Sequence, residues 1–164
     1  MARGLAVRPF QPDDLPSLQR IRAAAFAPVF ASFRALVGGE IAAIAFADAD
    51  AEQARLLEGI AARDSGHRLR IAAVDGMPVG FVAFTVDPAS RTGEIGLNAV
   101  HPDFAGRGIG TRLYEEALAE MKTLGAALAT VGTGGDPSHA PARRAYAKAG
   151  FGPGVPSVHL YRLL

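Results

Sequence analysis

The chain reads as a single α/β domain, a mixed central sheet flanked by helices, and three observations predict it. Apolar runs of strand length are interleaved with longer helical patterns, in the order strand, helices, three strands, helix, strand, helix, strand. A length of 164 residues holds one core, so residues 1–164 are expected to fold as one unit. An apolar content of 49% with 20% charged residues suits a globular fold.

Each element has a local cause. Leu5 to Arg8 alternates as a short strand closed by Pro9. Asp13 or Asp14 caps a helix running to about Phe26, and Pro28 is expected to interrupt it. A second helical stretch covers about Val29 to Leu36 and stops before Gly38-Gly39. Ile41 to Ala62 is alanine-rich, with Ala54, Leu57 and Ile60 at helical spacing and a break expected at Asp48 to Asp50. Arg68 to Val74 and Val79 to Val86 form a hairpin across Asp75-Gly76, a dipeptide suited to a tight turn. Arg91-Thr92-Gly93 turns the chain into the strand Glu94 to Val100.

The following helix places Ile109, Leu113, Ala117, Met121 and Leu124 on one face and ends at Gly125. Ala126 to Val131 is a strand and Gly132 to Pro137 a loop. A short helix from about Ala140 to Ala149 has Pro141 in its first turn and Gly150 as its stop. Ser157 to Leu163 is expected to close the sheet as a last strand.

The stretch from Val100 to Thr111 is built to hold a phosphate. A strand stops at Pro102, three glycines follow at alternate positions (Gly106, Gly108, Gly110), and a helix begins. Glycines let a ligand approach the backbone, and the first amides of a helix are unpaired at the positive end of its dipole. Arg107 adds a cation able to fork onto phosphate oxygens. Two commoner nucleotide turns are excluded by spacing. A dinucleotide fingerprint needs a glycine where Thr111 or Leu113 stands, and no Gly-Lys-Ser/Thr string occurs for a P-loop. A glycine-rich turn without a ligand is the other reading of the same residues.

This turn, Ala105-Gly106-Arg107-Gly108-Ile109-Gly110, resembles the signature of the GNAT (Gcn5-related N-acetyltransferase) superfamily, Arg/Gln-x-x-Gly-x-Gly/Ala, with Ala105 in place of the leading Arg/Gln. A second stretch from His139 to Phe151 is similar to that family's later motif. It retains Tyr146, Gly150 and Phe151, with His139 where Asn is usual and Ala145 where Leu is usual. Together the two motifs cover about the C-terminal half of the chain.

The resemblance implies a mostly antiparallel sheet splayed between the fourth and fifth strands. It implies that acetyl-coenzyme A is the co-substrate, with its pyrophosphate on the amides of Arg107, Gly108, Ile109, Gly110 and Thr111. Its pantetheine arm would pair with the open backbone of Ala99 and Val100. The activity implied is that of an N-acetyltransferase, an acyltransferase moving acetyl directly to a primary amine in a ternary complex. A small amine or amino acid is favoured over a protein or peptide amine. A non-catalytic acyl-CoA-binding module of the same fold is the competing class, kept open by Ala105 and His139.

The catalytic candidates follow from what the transfer needs. Tyr146 is the candidate general acid, since a phenol stays protonated at neutral pH and its proton affinity is close to that of a thiolate. A tyrosine packed beneath the cofactor is the alternative. Glu94 stands at the spacing of the family's catalytic glutamate. It is either a desolvated base or a solvated strand start. Asn98 is placed on the same face as Glu94 by strand alternation and would orient the amine or a water. His139, with Asp136 and Ser138, either relays a proton or caps the short helix. Phe26, Phe30 and Phe33 either cover the acceptor pocket or are core, with burial expected for at least two. Tyr114 and Tyr161 are expected to be packing residues.

Other classes are disfavoured. A net charge of +1 with scattered arginines gives no nucleic-acid footprint. There is no cysteine, hence no thiol nucleophile and no disulfide scaffold, and no ligand pair has the spacing of a metal site. No signal-peptide core or membrane-length apolar run occurs, so a cytoplasmic protein is expected, with a homodimer through an exposed sheet edge.

Overall fold

The computed structural model describes residues 4–164. Five strands, β1 (Leu5–Pro9), β2 (Arg68–Val74), β3 (Met77–Asp87), β4 (Thr92–Val100) and β5 (Leu128–Val131), form one sheet in sequence order. All neighbours are antiparallel except β4 and β5, which are parallel. Five α-helices accompany them: α1 (Leu15–Val37), α2 (Gly39–Ala45), α3 (Ala49–Ala61), α4 (Ile109–Thr123) and α5 (Ala140–Lys148). Among the described residues, no helix is long and apolar enough to cross a membrane.

Three layers result. Ile109, Leu113, Ala117 and Met121 of α4 and Tyr146 of α5 pack against Val82, Phe84 and Ile95 on one face of the sheet. Leu18 and Ile21 of α1 and Leu57 and Ile60 of α3 pack against Ile71, Phe81 and Ala83 on the other. Strand β3 is thus buried on both sides, which explains its unbroken apolar run. Arg22, itself buried, joins α1 to α3 through Asp50 at 2.8 Å. At the start of α1, Arg8 forks onto Asp14 with both nitrogens at 2.7 Å, and this pair holds the Asp14 carboxyl below its ordinary range.

Three expectations are corrected. Pro28 does not interrupt the first helix, because α1 runs through it from Leu15 to Val37. A proline inside a helix costs about 3 kcal/mol, but Val29 is buried just beyond it, and the continued apolar face offsets that loss. Ser157 to Leu163 forms no strand, and among the described residues no backbone hydrogen bond beyond Phe151 ties the chain to the sheet. The alternation there is strand-competent, but a strand needs an edge to pair with, and that is a tertiary property.

The third correction concerns β4. Its register against β3 runs Phe84↔Ile95 and then Val82↔Asn98, so β4 carries one extra residue at Gly96-Leu97. This β-bulge inverts the alternation. Glu94 pairs with Thr85, on the α1–α3 face, whereas Asn98 pairs with Val82, on the α4–α5 face. Glu94 and Asn98 therefore do not share a face.

Candidate active site

The site lies where two strands part. β5 pairs with β4 only from Thr92↔Leu128 to Ile95↔Val131. Beyond Ile95, residues 96–100 of β4 have no partner on that side, and the opening continues into a cavity of ≈780 Å³. One wall is β4 from Gly96 to Val100, and the opposite wall is Gly132, Thr133 and α5. Ala25, Phe26, Pro28 and Val29 of α1 close the end on the other sheet face.

At one end is the glycine turn. Gly106 (φ 74°) and Gly108 (φ 78°) are both left-handed, which glycine adopts without steric cost. Gly108 caps α4, whose first backbone bond is Arg112 N–H to the Gly108 carbonyl, 3.0 Å. The N–H groups of Ile109, Gly110 and Thr111 donate to no carbonyl among the described residues, and these three residues line the cavity. Arg107 does not line it. Its guanidinium lies 4.8 Å over the Phe104 ring and donates to the Asp103 carbonyl at 2.9 Å. The cations that do line the cavity are Arg144 and Lys148. They stand one turn apart on α5, so helical spacing is the signal that would have found them.

In the middle is a hydroxyl network. Tyr146 and Tyr114 are both buried, with ring centroids 4.7 Å apart. Tyr114 donates its hydroxyl to Asn98 Oδ1 at 2.8 Å, and Asn98 Nδ2 donates to Tyr146 Oη at 3.0 Å and to the Gly96 carbonyl at 2.9 Å. Since Tyr146 Oη accepts here, its own proton is free to point elsewhere. Burial, with the neighbouring Tyr146, pushes the Tyr114 phenol well above its ordinary range, so it stays a donor. The bulge makes this network, because it turns Asn98 toward the two tyrosines. Tyr114 is thus a member of the site as well as a packing residue. Its position one after Leu113 on the buried face of α4 was the available signal.

His139 lines the same cavity. Asp136 Oδ1 holds its Nδ1 at 2.6 Å, and Asp136 also accepts from Ser138 and from Ser32 of α1, the latter at 3.1 Å. Burial opposes ionisation of Asp136, but these hydrogen bonds outweigh it and hold its carboxyl down at about 2. Phe33 stacks on the His139 ring at 5.7 Å. Asp136 also accepts from the Ser138 amide as cap of the short turn before α5, so the capping and the His139 contact coexist. Phe26, Phe30 and Phe33 are each half-buried rather than core: Phe26 packs at the margin of the α1–α3 cluster, and Phe33 lies against Phe46 and His139. Phe26 lines the cavity, while Phe30 packs against Phe26. Ala99, Val100 and Asn98 line it as well. Glu94 is exposed and does not.

No curated protein matches the chain by sequence. Solved structures share its fold. A GCN5-related N-acetyltransferase from Ralstonia eutropha is 25% identical with a TM-score of 0.64, over 96% of this chain and 99% of that one. The ribosomal-protein-S18-alanine N-acetyltransferase of Escherichia coli is 16% identical with a TM-score of 0.66, over 92% and 79%. An aminoglycoside antibiotic 6′-N-acetyltransferase from Acinetobacter haemolyticus is 12% identical with a TM-score of 0.67, over 97% and 99%. The profile of the acetyltransferase (GNAT) family matches residues 39–151, which include the glycine turn, β4, β5 and α5. With that match over more than half its length, on a sheet that parts where the cavity opens, the chain belongs to the acetyltransferase (GNAT) family.

Proposed function

We propose that this protein transfers an acetyl group from acetyl-CoA to a primary amine in a ternary complex, with a small amine favoured over a peptide amine. The observation that carries the reading is one cavity joining three free helix-start amides to a tyrosine hydroxyl whose oxygen is already occupied by Asn98. The residues present fit acetyl-CoA. Free amides at Ile109, Gly110 and Thr111, with Arg144 and Lys148 nearby, suit its phosphates. The unpartnered edge of β4 at Ala99 and Val100 suits an amide-bearing arm, which adds as a strand would.

Bound acetyl-CoA supplies the acetyl group as a thioester. Tyr146 gives the proton to the departing sulfur, its hydroxyl aimed by Asn98. His139 takes the proton from the amine: Asp136 occupies Nδ1, so Nε2 is the ring nitrogen left to accept it. His139 and Tyr146 stand seven residues apart at one side of α5, roughly 10 Å of rise. That spacing leaves room for a reacting carbonyl between acid and base. With no cysteine in the chain, no thioester of the protein intervenes. Glu94 has no part in this scheme. The small-amine preference is supported by the Ser32–Asp136 bond, which ties α1 to the loop beside His139.

The test is release of free CoA thiol across a panel of amines. Amine-dependent release is expected, falling about 100-fold in kcat for Tyr146→Phe. Tight CoA binding with no amine-dependent release would leave a binding module instead.

A further inference from the structure

The cavity passes through the parted sheet, and its two ends differ in chemistry. The glycine turn and α4 stand on one face. On the other face its wall is Ala25, Phe26 and Val29 of α1, with Leu97 of β4 beside them. The bulge that turns Asn98 toward the tyrosines also turns Leu97 toward α1. Phe26 and Leu97 are only half-buried, so part of their apolar surface borders the cavity instead of the core. Such a wall gains by covering itself with an apolar ligand.

Among the described residues, no carboxylate lines any part of this cavity. Asp136 lies closest in the chain to the lining residues, but its oxygens are already taken by His139, Ser138 and Ser32. Glu94 and Asp103 are exposed and outside the cavity. Arg144 and Lys148 add positive charge to the lining and offset none. A cation left in such a place loses its water and finds no counter-charge. The transfer itself leaves no cation behind: an ammonium and a thioester become a neutral amide, a free thiol and one released proton. A second ammonium on the same molecule would keep its charge throughout.

We infer that the acceptor is an amine with a single basic nitrogen on an apolar alkyl or aryl body, and that diamines and polycations are turned away. The inference rests on the acetyltransferase reading for the reaction, and on the α1 wall for the choice of amine. Phe26 and Leu97 are the residues that set this choice.

Hexylamine and 1,6-diaminohexane test it, since they share one carbon chain and differ by a second ammonium. Hexylamine is expected to exceed the diamine in kcat/KM by about 100-fold, although the diamine offers two reactive nitrogens. Calorimetry on the CoA-loaded chain reads the same preference without turnover, and tighter binding of hexylamine is expected. Phe26→Glu should narrow the ratio by about 10-fold or more, whereas Phe26→Gln should not. If Phe26→Glu does not fold, the parent chain decides with the two amines alone. The inference is overturned by a diamine that matches hexylamine in turnover or affinity, by a CoA-loaded chain that binds no hexylamine, or by a folded Phe26→Glu with the ratio unchanged. Selective binding of hexylamine without thiol release would keep this inference and defeat the transferase reading. Turnover of both amines alike would do the reverse.

Discussion

Asn98 is held between two phenols, and the direction of each bond decides what the site can do. Tyr114 must donate to its oxygen, so its nitrogen must face Tyr146. Asn98→Leu is expected to lower kcat with little change in the KM for acetyl-CoA. It should also lower the melting temperature, since an unpaired buried hydroxyl at Tyr114 costs about 1–3 kcal/mol. Steady-state kinetics and thermal unfolding of one preparation read both effects. Asp136 makes a pH prediction. Its carboxyl sits at about 2 in the folded chain, below the ordinary carboxylate range. The stabilisation from its ionised form is complete above about pH 4 and is lost as pH falls through 2. Asp136→Asn should therefore unfold at a lower temperature than the parent at pH 7, and the gap should close between pH 4 and 2. Tyr146 and the free amides were legible in the sequence because motif position fixes them. The place of Arg107 is not legible in the sequence, because a cation beside a glycine turn has two outlets, and the Phe104 ring three residues back takes it.

At the scale of elements, the loop from Gly132 to His139 carries more of the site than its composition discloses. Gly134 has ordinary backbone angles, yet a Cβ there would overlap His139 Nδ1 and Asp136 Oδ1. Gly134→Ala is expected to separate that pair. The rate with a protonated amine should fall about 10-fold or more, and should recover in part as pH rises and free amine becomes abundant. Affinity for CoA, read by calorimetry, should stay unchanged because the glycine turn is remote from this loop. No sequence signal distinguishes Gly134 from Gly135, since the reason is a tertiary contact. The same holds for α1: proline usually ends a helix, but Val29 and the half-buried phenylalanines that follow it keep the apolar face going. The hairpin was legible because its turn chemistry is local, with Asp75 and Gly76 both at positive φ.

For the whole molecule, the layer order and strand sequence were readable, whereas the terminal strand was not. Its alternation is correct for a strand, but alternation does not say which edge, if any, the segment meets. The face of Asn98 was unreadable for a related reason. Alternation counts residues, and the count along β4 is not the count along β3. That surplus residue works as a phase shift. Were β4 to pair with β3 residue for residue from Ile95 onward, Asn98 would oppose Phe81 and face α1, and Leu97 would stand before the tyrosines. Two phenols would then be left without an amide between them, and the chain could keep its fold while losing the alignment of its acid.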